Sequence, residues 1–313
     1  MTDSDQDSAR IKWGDLPDCV RTAVEERLGG QVIAVTEPPG GFSHGMAALL
    51  ELSCSQTVFA KAIFVDDPLA DPYRREAQTA ARLPDTVPTP RMLFSLQAAD
   101  CLVLVFEAVA GHHPRLDYPN ELAAVLRCVE YMGSALTPSP LPDTPTIAQS
   151  YGPELTAWQQ FADEGPPRDL DEWSRRHLGS LAELEAAWCP ATVGDTLLHT
   201  DLRPDNMLVR HDDGTVVVVD WAWSCRGAAW VDLASLVPSL LSEGVDPSPI
   251  LASNPITAEV DPAAIDAFIC ALGGYWARNS RLPSAPRSPH LRIHQAHKAE
   301  LAISWIARRV GWQ

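Results

Sequence analysis

The sequence predicts an α+β fold of two lobes: a small antiparallel-sheet lobe over residues 1–110 and a larger, mainly helical lobe over 111–313. Strand-type runs crowd the first hundred residues, while helical apolar stripes dominate after Gly111. Two short apolar runs with a polar turn between them interrupt the helical half at 198–220. A cleft between two such lobes is the expected place for a ligand site.

The elements follow in order. Residues 1–10 (MTDSDQDSAR) are polar and acidic, which predicts a disordered tail and no secretory leader. Residues 31–37 alternate in polarity, 47–54 are apolar, and 57–64 are β-branched and aromatic, so each reads as a strand. A glycine-rich turn fills 38–45. A helix is expected over 73–83 and a buried strand over 101–106. Further on, Leu122, Val125, Leu126, Val129 and Leu136 share one helical face. The proline-rich stretch 137–146 predicts a loop. Two later stripes, Ile265, Phe268, Leu272, Trp276 and Ala299, Ala302, Ile306, Val310, predict two helices. Of the ten tryptophans, Trp158, Trp173, Trp188, Trp276 and Trp305 fall in helical stretches, as core residues.

Composition narrows the class. With 46% hydrophobic residues in 313, the chain can bury a sizeable core. The net charge of -17, from 41 acidic against 24 basic residues, is the wrong sign for a nucleic-acid binder. That excess suits solubility and is compatible with a cationic small-molecule partner. No apolar run approaches the roughly 18 residues that span a bilayer, and seven cysteines are scattered singly. A cytoplasmic protein that does not engage membranes is expected, its thiols buried rather than paired. The acidic cluster Asp163, Glu164, Asp169, Asp171 and Glu172 reads as a solvated face.

Chemistry concentrates at His199-Thr200-Asp201-Leu202-Arg203-Pro204-Asp205-Asn206. Apolar runs at 207–210 and 216–219 flank the turn His211-Asp212-Asp213-Gly214, predicting a hairpin that brings Asn206 close to Asp220. Phosphoryl transfer needs a carboxylate to orient a hydroxyl and accept its proton, a role that fits Asp201. It also needs oxygen donors that hold Mg²⁺ against nucleotide phosphates, which fits Asn206 and Asp220.

His199-x-Asp201-x-x-x-x-Asn206 followed by Val219-Asp220-Trp221 resembles the catalytic and metal-binding loops of the aminoglycoside phosphotransferase and choline kinase superfamily, which has the protein-kinase fold. The downstream Gly227-x-x-x-x-Asp232-Leu233-Ala234 looks like the family's usual sequel, in which the aspartate braces the catalytic loop. Thr200 stands where the family often has glycine, and Gly227-Ala228-Ala229-Trp230 departs from its frequent Gly-Asp-Pro.

The resemblance implies a Mg²⁺-dependent kinase that uses ATP or GTP and phosphorylates a hydroxyl-bearing small molecule. It implies that Lys61 meets phosphates, Glu76 holds Lys61, and Ser43 and Gly45 belong to the nucleotide-covering loop. The run from Cys101 to Gly111 resembles the strand and hinge that receive a purine, with backbone groups of Glu107 and Val109 on the base edge and Leu208 beneath it. His199 is expected to brace the loop. Two alternatives are a catalytically silent ligand-binding module on the same fold and a metal-dependent hydrolase using His199, Asp201 and Asp220. Neither an Asp-Phe-Gly nor an Ala-Pro-Glu segment of protein kinases occurs.

Overall fold

The computed structural model describes residues 10–38, 45–284 and 290–312. After a first helix α1 (Asp18–Leu28) come strands β1 (Val32–Thr36), β2 (Met46–Leu52) and β3 (Thr57–Phe64), helix α2 (Ala70–Ala80), and strands β4 (Met92–Ala98) and β5 (Cys101–Glu107). Among the described residues these strands form one five-stranded antiparallel sheet, in the order β1-β2-β3-β5-β4.

Alternation along β3 decides what each side chain meets. Val58, Ala60 and Ala62 join Trp13, Leu16 and the α1 residues Val20 and Val24 in a core on one face. Ile63 packs on the opposite face with Ala70 and Tyr73 of α2, and Lys61 shares that parity. β5 is covered on both sides, Cys101, Val103 and Val105 toward α1 and Leu102, Leu104 and Phe106 toward α2. That double burial explains its unbroken apolar run. α1 ends at Gly29, whose left-handed backbone (φ 73°) lets its N–H reach the carbonyl of Glu25.

Short strand β6 (Gly111–His112) leads into α3 (Pro119–Ala135), which buries Val125, Val129 and Met132 and ends with Leu136 as its cap. The 137–146 loop follows, then α4 (Ile147–Tyr151), α5 (Ala157–Glu164), α6 (Glu172–Arg176), α7 (Leu178–Ala186) and α8 (Trp188–Ala191). The sequence then forms β7 (Thr196–Leu198), β8 (Met207–Arg210), β9 (Val216–Val218) and β10 (Cys225–Gly227). β8 and β9 make the expected hairpin, closed by Gly214 at φ 69°, with β6 on the free side of β8. Gly111 is required at that edge, because a Cβ there would lie 2.6 Å from the carbonyl oxygen of Val209. β7 pairs with β10.

Helices α9 (Trp230–Ser235), α10 (Val237–Ser242), α11 (Pro247–Ser253), α12 (Pro262–Asn279) and α13 (Leu291–Val310) complete the helical part. One core runs through it, with Trp158, Trp188 and Trp305 buried as expected. Their burial leaves indole donors to satisfy: Trp158 donates to the Cys270 carbonyl at 2.9 Å and Trp188 to that of Leu155 at 3.0 Å. Gly274 is needed because its Cβ would fall 2.7 Å from the Trp158 indole. The acidic cluster Asp163, Glu164, Asp169, Asp171 and Glu172 is exposed as expected, with Asp169 also pairing with Arg281 at 3.0 Å and Asp171 capping α6 through the Ser174 N–H. Among the described residues no helix is long and apolar enough to cross a membrane.

Candidate active site

Because Lys61 sits on the α2 face of β3, its ammonium meets the helix one side chain away. Lys61 Nζ donates to Glu76 Oε2 at 2.6 Å and to Asp220 Oδ1 at 3.1 Å. The ion pair with Glu76 is buried, with side-chain exposures of 11% and 4%. Such a pair holds geometry well, since removing one partner leaves a buried charge unmatched. The Lys61 ammonium also lies 5.3 Å from the Tyr73 ring centroid. Burial disfavours the Lys61 charge, but Asp220 and Glu76 overcome it and hold the group above the ordinary lysine range. Burial likewise opposes the Asp220 carboxylate, and Lys61 reverses that, so the acid stays below its usual range. Glu76 is pushed up to about 7 by burial, with Lys61 drawing it back.

The helical part supplies the other half. The residue after β9, Val219, donates its N–H to the Asn206 carbonyl at 2.9 Å, locking the two ends of the hairpin together. Asn206 is buried, and its amide nitrogen donates both to the Asp201 carbonyl and to Asp201 Oδ2, each at 2.9 Å. With its hydrogens committed, the acceptor oxygen Oδ1 is the group it offers elsewhere. Asp201 keeps 36% of its side-chain surface open and lies 3.5 Å from Arg203, which also pairs with Asp205 at 3.2 Å. Burial pushes the Asp201 carboxyl up to about 6, with Arg203 acting against it and Asp220 and Asp205 adding to it.

His199 and Asp232 set the loop. His199 is fully buried and edge-on to Trp221, with ring centroids 5.0 Å apart. Its Nε2 faces the Val219 carbonyl at 2.9 Å, while Nδ1 faces the Asp201 N–H at 3.3 Å. A carbonyl needs a donor and an N–H needs an acceptor, so the ring is neutral with its proton on Nε2. Burial lowers its pKa in the same direction. Asp232, in the first turn of α9, accepts the N–H groups of His199 and Thr200, both at 2.8 Å.

Those bonds account for the departure from glycine at 200. Thr200 has φ 65° and Asp220 has φ 69°, in the left-handed region. Aspartate tolerates that region, but for β-branched threonine it is strained. The Thr200 hydroxyl donates to the Trp223 carbonyl at 2.7 Å and lies 2.9 Å from the Tyr151 hydroxyl. Asp232 from one side and Trp223 and Tyr151 from the other hold the residue in place.

A family model for the phosphotransferase enzyme family, APH, matches residues 62–279. The chain belongs to that family. Its enzyme class is that of phosphotransferases acting on hydroxyl groups. No curated protein matches the sequence. Solved structures agree on the kinase-like fold across nearly the whole chain. A thermostable mutant of aminoglycoside phosphotransferase APH(4)-Ia, in a ternary complex with ADP and hygromycin B, is 14% identical with a TM-score of 0.61, covering 91% of this chain and 98% of that one. Choline kinase LicA from Streptococcus pneumoniae is 13% identical with a TM-score of 0.62, over 92% and 98%. A fructosamine-3-kinase described as putative, from Haemophilus somnus, is 14% identical with a TM-score of 0.57, over 91% and 96%.

For this phosphotransferase the remaining sequence-derived residues fall as follows. The Glu107 carboxylate is taken by Arg91, whose Nε donates to it at 2.8 Å, and the Glu107 backbone N–H donates to the Arg91 carbonyl at 3.0 Å. Val109 follows β5, and its backbone N–H and carbonyl meet no hydrogen-bond partner among the described residues. Leu208 is half-buried on β8, opposite Val217. Gly45 is a packing necessity: a Cβ there would sit 2.2 Å from the Tyr73 hydroxyl and 2.9 Å from the Ala62 carbonyl. Ser43 lies outside the described residues. Sequence reasoning missed Tyr151, Trp223 and Arg75, which stand beside the loop. The guanidinium of Arg75 lies over the Trp223 ring at 4.9 Å. Only proximity in space links them, and no spacing rule joins positions 75, 151 and 223.

Proposed function

We propose that this chain transfers the γ-phosphoryl group of ATP or GTP to a hydroxyl of a small molecule, with Mg²⁺. The observation that carries this reading is the meeting of Lys61, Glu76 and Asp220 beside the Asp201–Asn206 loop. The donors fit a hard cation: one carboxylate below its usual pKa range and one amide oxygen, with room for the phosphate oxygens and waters that Mg²⁺ prefers. Asp220 and Asn206 would hold that ion, which when bound supplies positive charge against the phosphate oxygens.

Asp201 orients the acceptor hydroxyl and accepts its proton as the oxygen–phosphorus bond forms. The bond from the γ-phosphorus to the β–γ bridging oxygen breaks, and nucleoside diphosphate leaves. Lys61 neutralises charge on the nucleotide phosphates and Glu76 keeps it aimed there. The free backbone groups of Val109, with the carbonyl of Glu107, bond the purine edge over Leu208. On this reading the nucleotide lobe ends near residue 110 and the chain beyond it carries catalysis and acceptor binding. The free cysteines suit a cytoplasmic, reducing setting.

The test pairs nucleotide binding with turnover. A panel of hydroxyl compounds is screened for stimulated nucleotide consumption in the presence of Mg²⁺. Asp201→Ala then removes product formation while nucleotide affinity stays within about twofold. Equal turnover by wild type and variant rejects Asp201 as the base.

A further inference from the structure

A cleft of about 530 Å³ opens between α2, the 141–151 segment and residues 222–224. That size suits a small-molecule ligand. It is distinct from the Lys61–Glu76 pair yet borders the reacting groups at two points. Tyr151, on one wall, is hydrogen-bonded to Thr200, the residue before Asp201. Ala222, Trp223 and Ser224, which also line it, come two to four residues after Asp220.

Its charge runs against that of the chain. The protein carries 41 acidic and 24 basic residues, yet this cleft is lined by two arginines, Arg75 and Arg82, and one acid, Asp143. Arg75 lies on α2 and Arg82 in the turn just past its end, and Gln78 and Thr79 between them also line the cleft. Among the described residues neither arginine forms an ion pair, whereas most other arginines here do. Arg75 lies over the face of Trp223, which leaves the edge donors of its planar guanidinium free. Trp223 is 40% exposed and offers an aromatic surface at the mouth.

We propose that this cleft receives the phosphate acceptor, and that the acceptor carries an anionic group engaged by Arg75 and Arg82. This rests on the phosphotransferase reading and narrows it. It replaces the cationic partner that the overall charge suggested, because recognition follows the local lining and not the distant surface. An anion bound there also touches α2, the helix that carries Glu76, so acceptor and nucleotide sites share one rigid element.

The experiment compares four compounds on one scaffold, glucose 6-phosphate, gluconate, glucose and glucosamine, with wild type, Arg75→Gln, Arg82→Gln and the double variant. The anionic members are expected to exceed glucosamine at least tenfold in kcat/KM, or in equilibrium affinity for the nucleotide-loaded protein where none turns over. The double variant should erase that ratio, leaving nucleotide affinity and melting temperature unchanged. Equal or better use of glucosamine overturns the proposal while the phosphotransferase reading stands. So does an anion preference that survives in the double variant. Wild type that binds no nucleotide with Mg²⁺ overturns both.

Discussion

The brace between Asp232 and the 199–206 loop offers the sharpest test of the structural reasoning. Replacing Asp232 by Asn keeps size and shape but leaves one acceptor oxygen where two backbone N–H groups now bond at 2.8 Å. Hydrogen bonds to a charged acceptor contribute about 1.5–3 kcal/mol each, and the surviving neutral bond contributes about 1. The net loss is roughly 2–5 kcal/mol. For a chain of this size that lowers Tm on the order of 3–8 °C. The same bonds hold Thr200 at φ 65°, a backbone state costing about 1–3 kcal/mol. Thr200→Gly removes that strain but also deletes the hydroxyl bonds to Trp223 and Tyr151, so alone it should stay within about 1 kcal/mol of wild type. In the Asp232→Asn background the same change should recover at least about 1 kcal/mol relative to additivity, because glycine keeps the loop shape without the brace. Thermal melts and urea denaturation of the four proteins read the cycle. An Asp232→Asn protein melting with wild type, or a double variant that is simply additive, refutes the argument.

Three further outcomes are expected. Lys61→Met leaves Glu76 and Asp220 without their shared counter-charge; nucleotide affinity should fall at least tenfold and stability by roughly 3–5 kcal/mol, and adding Glu76→Gln should restore stability but not affinity, as read by titration and melting. Gly45→Ala forces a Cβ into the Tyr73 hydroxyl and should destabilise by about 1–3 kcal/mol, part of which Tyr73→Phe recovers; a Gly45→Ala protein as stable as wild type contradicts the packing account. Burial pushes Glu185 up from 4.5 to about 7. The native state therefore holds more protons than the unfolded chain in that range, and stability falls as pH rises from about 4.5 to about 7. Glu185→Gln should flatten that part of the curve in urea titrations.

The degree to which the fold was legible varied with how local the signal is. Strands β2, β3 and β5 appeared as β-branched or apolar runs, because alternation or double burial writes itself into consecutive residues. β4 escaped notice, since 92–98 mixes a half-exposed edge pattern with polar Ser95 and Gln97. α1 was also overlooked, although Pro17 before it and Gly29 after it punctuate a helix in the usual way. The helix expected at 73–83 starts three residues earlier, at Ala70, where the chain after Pro68 turns directly into α2.

In the site, the spacing of Asp201 and Asn206 and the short hairpin to Asp220 were readable because each is a sequence-local geometry. The structure brings these three residues together with Lys61 and Glu76, positions separated by up to 159 residues. What escaped was the surrounding wall. Tyr151 ends α4 and Trp223 lies three residues beyond Asp220, and their joint contact with Thr200 arises only from tertiary folding.

Helix α2 presents neighbours in sequence to different surroundings: Glu76 points inward to Lys61, whereas Arg75 beside it faces the cleft. Successive side chains on a helix are rotated by about 100°, so one rod separates two tasks. Substitutions at 75 and 78 can accumulate without disturbing the lysine clasp. Divergence among descendants of this chain is therefore expected along that outward stripe, where new chemistries can be sampled against an unchanged engine.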